Sequence, residues 1–359
     1  MLTIQTLFND PKIVNAVIQR VLQTRKDTIY WQQYLDFRRT TTRVFKDYIG
    51  HITGVMAGSI NSRYGEKPIR ERRNIGSGYG EIAYLGDRYQ ISIDRLSDLQ
   101  DLIDKYNAAK PADQVAAMRE IVDFIYDDYR QVLLAAHKRM DIIVGSLLMR
   151  GAATVKNKDD NAGGVELLNI ELPFKFIKPT TGDKDNFITY LQMKMNELKS
   201  IYGNFPKMIM SRGTFVKNII GSSEFGDKFK MQLTGNEMYM STGLITSQLA
   251  SSVFTGIGLP AIEIKEDYVI GQSGKNIPIY ADDRITLLPQ DKIGYMRFHT
   301  PYEAVDGAPG RNYTQADGDM LISGYKDGNG RYLEYTAEWV PQIANPNLIV
   351  NFDLSEMNA

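Results

Sequence analysis

The longest regular pattern of apolar residues in the chain lies between Ala112 and Arg150. Apolar side chains recur there every three or four residues, no proline interrupts them, and Gly151 follows as a stop signal. The predicted helix is roughly 58 Å long at 1.5 Å per residue, whereas helices of globular proteins average about 11–12 residues. We expect this helix to act as the spine of its domain.

Shorter elements are predicted on both sides of the spine helix. An amphipathic helix is expected to begin at Pro11, after a capping Asn9 or Asp10, and its apolar face suits its own domain and a neighbouring molecule equally well. Further helices are predicted over 93–105, 185–202 and 212–220. Strands are predicted over 165–172, 207–210, 276–280, 284–288 and 347–353, and the whole stretch 253–288 is predicted to be rich in strands. The helix–strand–helix order over 185–220 suggests a separate mixed α/β unit.

The segment between Arg43 and Ser92 has strand-like residues only at its two ends. Compact domains rarely carry structureless loops longer than about 12–15 residues, and a two-stranded arm is only marginally stable by itself in water. Such an arm is expected to lie on another molecule, which indicates assembly rather than catalysis. Its middle part is basic, with Arg63, Lys67, Arg70, Arg72 and Arg73.

Composition narrows the possible classes of protein. The 359 residues suffice for two or more domains, and a net charge of -1 gives no global basic field for nucleic acid. The chain has no cysteine, which excludes disulfides, thiolate metal sites and cysteine catalysis. The first residues lack the pattern of a secretory signal, and no run of about 18 apolar residues predicts a spanning helix. We therefore expect synthesis in a cytoplasm and no membrane partner.

Candidate catalytic and metal-binding groups do not converge in the sequence. His51, His137 and His299 are scattered, and no second metal ligand is expected four residues from His137. The pair Asp282–Asp283 suits a carboxylate pair, a calcium-binding turn or, better, a solvated turn. The spacing of the glycines in 76–80 matches neither the P-loop nor the dinucleotide-binding motif, and these glycines suit a flexible hinge better. We predict no catalytic residue, no cofactor and no metal, so an enzyme is the weakest class.

The succession of elements resembles the HK97-type major capsid proteins of tailed phages, and more narrowly the lambda major capsid protein (phage capsid protein E) family. The order is an arm helix, a long basic arm, a spine helix, a mixed unit and a terminal strand. The C-terminal third carries the sharper likeness. Its motifs are Leu259-Pro-Ala-Ile-Glu-Ile-Lys-Glu-Asp-Tyr268, Ile277-Pro-Ile-Tyr280, Asp283-Arg-Ile-Thr-Leu-Leu-Pro289, Ile293-Gly-Tyr295, Trp339-Val-Pro341 and Pro346-Asn-Leu-Ile-Val350.

The resemblance implies an α+β HK97-like capsid fold and a division of the chain into five parts. These are an N-terminal arm over 1–35, an extended loop over 36–95, a peripheral domain with the spine helix over 96–177, an axial domain over 178–296 and a return to the peripheral domain over 297–359.

The resemblance also implies a function. Copies of the chain would form the pentamers and hexamers of an icosahedral shell, assembled in the host bacterial cytoplasm and present in the virion. Implied partners are a portal protein, packaged double-stranded DNA on the inner face, an optional decoration protein and a scaffolding protein. The scaffolding protein is expected to be separate, because the arm begins almost at Met1.

Charge suggests where the loop of one subunit would lie. The front of the spine helix is acidic, and we hypothesise that the basic loop lies over this acidic part of the next copy. Two alternatives stay open: an encapsulin-like compartment shell, and a nucleic-acid-binding protein that uses the basic loop. The acidic residues are Asp113, Glu120, Asp123, Asp127 and Asp128.

Overall fold

The computed structural model describes residues 1–24, 29–49, 76–155, 168–222, 224–227, 246–271, 274–328 and 330–358. The chain forms two compact units. Unit 1 comprises Met1–Phe45, Gly80–Asp141 and Tyr295–Gln342. Unit 2 comprises Lys46–Tyr79, Ile142–Gly294 and Ile343–Ala359.

Helices and strands are interspersed as far as residue 256, and strands predominate after it. The helices are α1 (Ile4–Asn9), α2 (Pro11–Thr24), α3 (Ile93–Ala108), α4 (Gln114–Arg150), α5 (Phe187–Tyr202), α6 (Arg212–Phe215, continued by a π-helical turn Val216–Ile220) and α7 (Ser247–Gly256). The strands are β1 (Leu35–Arg39), β2 (Val44–Ile49), β3 (Gly76–Glu81), β4 (Ala83–Ile91), β5 (Ala152–Val155), β6 (Leu168–Glu171), β7 (Lys175–Ile177), β8 (Lys207–Ser211), β9 (Ala261–Lys265), β10 (Tyr268–Ile270), β11 (Asn276–Pro278), β12 (Arg284–Leu288), β13 (Gly294–His299), β14 (Tyr313–Gln315), β15 (Leu321–Asp327), β16 (Gly330–Ile343) and β17 (Val350–Asp353).

The sheet of unit 1 is built around the long strand β16. Its order is β1-β13-β16-β15-β14, and β4 pairs with β16 as well. The pairing of β4 with β16 is antiparallel and runs from Ala83 opposite Trp339 to Ile91 opposite Arg331. Leu333 and Ala337 of β16 are fully buried, and from Tyr335 to Pro341 the residues on both faces of the strand are buried.

An aromatic cluster lies in the core of unit 1. The rings of Trp31 and His137 stack with centroids 5.8 Å apart, and the rings of Phe37 and Trp339 meet edge to face at 5.2 Å. The indole N–H of Trp339 donates to the carbonyl of Gly318 at 2.7 Å. Gly318 has φ +67°, and a Cβ there would lie 2.5 Å from the Phe37 ring, so the position needs glycine. The cluster joins α4, β1 and β16.

The N-terminal helices pack on unit 1 itself. Leu7 and Phe8 of α1 and Val17 and Ile18 of α2 are at most 2% exposed, and α1 lies against β15 while α2 lies against β14. The amphipathic helix α2 therefore packs on its own domain, which was one of the two surfaces that suited it. Helix α1 was not predicted from periodicity. It begins with a capping box in which Thr3 and Thr6 bond each other's backbone N–H groups.

Unit 2 has a mixed five-stranded sheet in the order β7-β17-β12-β8-β9. Strand β12 is antiparallel to β17 and β8, whereas β17–β7 and β8–β9 are parallel pairs. Helices α5 and α7 contribute Phe187, Leu191 and Phe254 to a core shared with Leu287 and Phe352 of the sheet. The periodicity thus predicted α5, β8 and β12 correctly.

Helix α7 corrects one sequence expectation. The stretch 253–288 was predicted to be rich in strands, but its first four residues are the end of α7. The helix begins because the Thr246 side chain accepts a hydrogen bond from the Leu249 backbone N–H at 3.3 Å. The strand signal of Val253 and Phe254 reflects burial in the core rather than strand geometry.

The spine helix is one unbroken element of 37 residues. It begins at Gln114, two residues after the predicted start, and it ends at Arg150, where Gly151 takes φ +67°. In unit 2 its last turn is held by Asn351, whose amide N–H group donates to the Met149 carbonyl at 2.8 Å. The prediction of this helix is confirmed.

Candidate functional site

The arm predicted between Arg43 and Ser92 begins with β2, which pairs with β3 in a two-stranded ribbon, whereas its predicted closing strand is β4 of the unit 1 sheet. Strands β2 and β3 pair with each other and with no further strand among the described residues. The strand-like ends read from the sequence are thus confirmed. The five basic residues of the loop, at 63, 67, 70, 72 and 73, lie outside the described residues.

Four of the five predicted acidic residues of the spine helix already have a cation of the same chain beside them. The pairs are Arg20–Asp123, Lys105–Glu120 at 2.6 Å, Arg95–Asp128 at 2.9 Å and Arg130–Asp127 at 3.8 Å. The fifth residue, Asp113, lies in the turn before α4, where its backbone N–H donates to the Lys110 carbonyl. This face therefore has less free negative charge than its sequence suggests.

Asp128 is the most enclosed of these carboxylates. Burial raises its pKa, and the guanidinium of Arg95 opposes that shift. Arg95 also donates to the Phe124 carbonyl at 2.7 Å and lies over the Phe124 ring. Asp128 therefore joins α3 to α4 within the subunit and is a poor candidate for a contact with another copy.

A second row of carboxylates lies on α3 and was not singled out from the sequence. Four aspartates at spacings of three and four residues are exposed on one face of this helix. Within the described part of the chain, no cation forms an ion pair with any of them. The freely available negative charge beside α4 is thus on α3. The residues are Asp94, Asp98, Asp101 and Asp104.

A buried carboxylate, Glu338, lies at the root of the ribbon. Its side chain is 3% exposed, and it accepts two hydrogen bonds from Arg43, at 2.6 and 3.1 Å. The Nδ1 of His299 lies 2.8 Å from the same carboxylate. The hydrogen bonds to Glu338 raise the pKa of the Arg43 guanidinium. We call Arg43, Glu338 and His299 the arm-root cluster.

The other sequence candidates have structural partners. The carboxylate of Asp282 accepts a hydrogen bond from the Ser211 hydroxyl at 2.5 Å. Asp283, at φ +57°, accepts one from the side-chain amide of Asn358 at 2.5 Å. No group of three or more potential metal ligands occurs among the described residues. His51 lies outside them.

His137 is buried, and the expectation that it has no second ligand one turn away is wrong. Asp141 lies four residues further on, and its carboxylate accepts a hydrogen bond from the Trp31 backbone N–H at 2.8 Å. The Lys138 ammonium lies 3.6 Å from its other oxygen. These contacts hold the segment before β1 against α4.

Asp141 is expected to make stability depend on pH. Burial raises its pKa from 3.8 to about 6, against the opposing hydrogen bonds and Lys138. The folded state favours the protonated form of Asp141. The stabilising contribution of this protonated side chain is therefore fully present below pH ~4, and it is lost as the pH rises through ~6. This rise in pKa corresponds to roughly 3 kcal/mol. Asp141→Asn should therefore raise the free energy of unfolding at pH 7.5 by ~1–3 kcal/mol, and less at pH 4.5.

Denaturant unfolding of both proteins across this pH range measures the effect. The control is Asp127→Asn on the same helix, whose side chain is 70% exposed, and it should change the free energy by less than ~0.5 kcal/mol. A variant Asp141→Asn that is less stable than the parent at pH 7.5 would contradict the assignment.

No helix within the described ranges is both long and apolar enough to cross a membrane.

Comparison with known proteins identifies the fold. The sequence matches no family model and no curated protein. A crystal structure assigned as the capsid protein of a prophage of Escherichia coli CFT073 superposes with a TM-score of 0.58, at 12% identity, over 97% of this chain and 99% of that chain. A phage-related protein of Bordetella bronchiseptica RB50 gives a TM-score of 0.51, at 8% identity, over 96% and 98%. The chain therefore has the α+β HK97-like fold of phage capsid proteins.

Proposed function

We propose that this chain is the major capsid protein of a tailed bacteriophage, a structural protein that assembles into the pentamers and hexamers of an icosahedral shell. The observation that carries the proposal is the similarity in fold to a prophage capsid protein over nearly the full length of both chains.

The paired ribbon supports assembly independently. A two-stranded ribbon is marginal alone in water, so the arm gains stability when it lies on a neighbouring copy. We infer that the basic loop with Arg63, Lys67, Arg70, Arg72 and Arg73 lies over the acidic surface of the next copy. Because carboxylates of α4 form ion pairs within the chain, the freely available negative charge of that surface lies toward the aspartates of α3. Of the predicted contact residues, Asp113, Glu120, Asp123 and Asp127 are exposed enough to contribute.

The proposal includes the five-part division of the chain. In this division 1–35 is the N-terminal arm, 36–95 the extended loop, 96–177 the peripheral domain, 178–296 the axial domain and 297–359 the return to the peripheral domain. Scaffolding and portal proteins, an optional decoration protein and packaged DNA are the proposed partners. The virion is the proposed location, after assembly in the bacterial cytoplasm.

Sedimentation velocity tests the proposal and separates it from the nucleic-acid alternative. The chain is expressed alone and with the neighbouring genes of its locus, and each preparation is treated with nuclease before the run. We expect a boundary far faster than that of a 40.6 kDa monomer, and we expect it to survive nuclease. Complexes that nuclease dissolves would favour DNA binding by the loop and contradict the shell.

A further inference from the structure

We propose that Arg43 and Glu338 are positioning residues that hold the root of the ribbon at one place on the unit 1 sheet, and that shell closure requires this hold. Only the requirement for shell closure rests on the proposed function. The hold on the ribbon root concerns the subunit by itself.

The hydrogen bonds of the arm-root cluster can hold the ribbon root in a fixed position. Arg43 is the last residue before β2, and both of its donated hydrogen bonds go to Glu338 in the central strand β16. Two-point contact fixes the plane of the guanidinium as well as its distance. A carboxylate that is 3% exposed needs such partners, because an uncompensated buried charge is strongly destabilising.

Backbone contacts bring both strands of the ribbon to the same place. The carbonyl of Arg43 accepts a hydrogen bond from the Ile82 N–H at 3.0 Å, which joins the outgoing strand to the returning one. The N–H of Thr40 donates to the Phe298 carbonyl at 2.8 Å. Tyr84 lies opposite Glu338 in the β4–β16 register. Glu338 thus lies next to the residues at which the ribbon joins the unit 1 sheet.

The position of Arg43 suggests a role beyond stability. Its side chain is 54% exposed, so Arg43 itself contributes little burial, and its loss affects stability through the buried Glu338 that it neutralises. Glu338 keeps His299 as a partner when Arg43 is removed. Arg43→Met should therefore leave a folded subunit whose ribbon root has lost its anchor. This separation of folding from positioning makes the inference testable.

A matched control exists in unit 2. Arg284 and Asp353 form a pair at 2.6 Å between β12 and β17, with side chains 21% and 9% exposed. Arg284→Met removes another short arginine–carboxylate pair, which lies in unit 2 and outside the arm-root cluster. Arg43→Lys is the conservative variant, which keeps the charge but not the two-point contact.

The first readout is hydrogen exchange of the unassembled subunit. In Arg43→Met we expect the amides of Ile82, β2 and β3 to exchange at least ten-fold faster, with α4 unchanged. Arg43→Lys should lie between this variant and the parent, and Arg284→Met should match the parent at these amides. Unchanged exchange at Ile82 in Arg43→Met would overturn the inference, whatever the state of the shell.

The second readout is particle shape by electron microscopy under conditions in which the parent forms closed shells. We expect open or irregular particles from Arg43→Met and closed shells from Arg284→Met. If Arg43→Met loosens the root but closes normal shells, the positioning role in assembly is wrong. If the parent itself forms no particles, the proposed function fails while the exchange result still decides the anchor.

Discussion

Reversing Arg70, Arg72 and Arg73 to glutamate is expected to leave a folded subunit that no longer assembles. Each exposed ion pair contributes only about 0–1 kcal/mol, but a shell repeats the contact in every copy. Complementary charge sets register and orientation more than affinity, and like charges facing the acidic surface would repel. Circular dichroism should show an unchanged fold, and sedimentation should show no shells.

The matched control reverses three lysines elsewhere, Lys12, Lys184 and Lys326, all of which are exposed. This variant has the same change in net charge, so it separates a local contact from a general effect of charge. We expect it to assemble. Normal shells from the Arg70, Arg72 and Arg73 variant would contradict docking of the loop by charge, while shells from neither variant would point to a general effect.

The second large effect concerns Trp339 in the aromatic core of unit 1. Its side chain is fully buried, it contacts the rings of Phe37 and His137, and it donates to the Gly318 carbonyl. Trp339→Ala removes these contacts and leaves a cavity, which should lower the free energy of unfolding by ~3–5 kcal/mol. Domains of this kind have only about 5–15 kcal/mol in total, so soluble yield should fall as well.

Trp339→Phe is the control for the cavity. It keeps an aromatic ring but loses the hydrogen bond to Gly318, and we expect a smaller loss of ~1–2 kcal/mol. Denaturant unfolding of the purified variants gives both values. Equal losses for alanine and phenylalanine would mean that the hydrogen bond, rather than the ring, carries the stability of this cluster.

Elements with a strong apolar period could be predicted from the sequence. The helix α4 was found within two residues of its true start because twelve apolar residues follow one helical period. By contrast, α1 depends on a threonine capping box, and α7 depends on Thr246. Side-chain capping leaves only a short signal, which apolar periodicity does not detect.

The opening strand of the ribbon could be predicted, but its partner strand β3 and its anchor could not. The length and polarity of the segment after Arg43 indicate an arm, because no packed core could hold it. The pairing of Arg43 with Glu338 joins residues 295 positions apart. Only the sheet topology brings β16 beside the ribbon root.

The cations that pair with the acidic residues of α4 could not be predicted from the sequence either. The carboxylates of α4 were identified correctly as a polar helix face, but their cations come from α2 and α3 as well as from the same helix. Sequence spacing identifies neighbours on one helix and not those on another. The structure therefore moves the free negative charge toward α3.

The central claim, that this chain is a shell protein, is tested most directly by electron microscopy of the purified chain, expressed alone and with the neighbouring genes of its locus. The account predicts closed angular shells of uniform diameter, or regular sheets and tubes made of the same rings. A monomer or a single small ring in both preparations would contradict it.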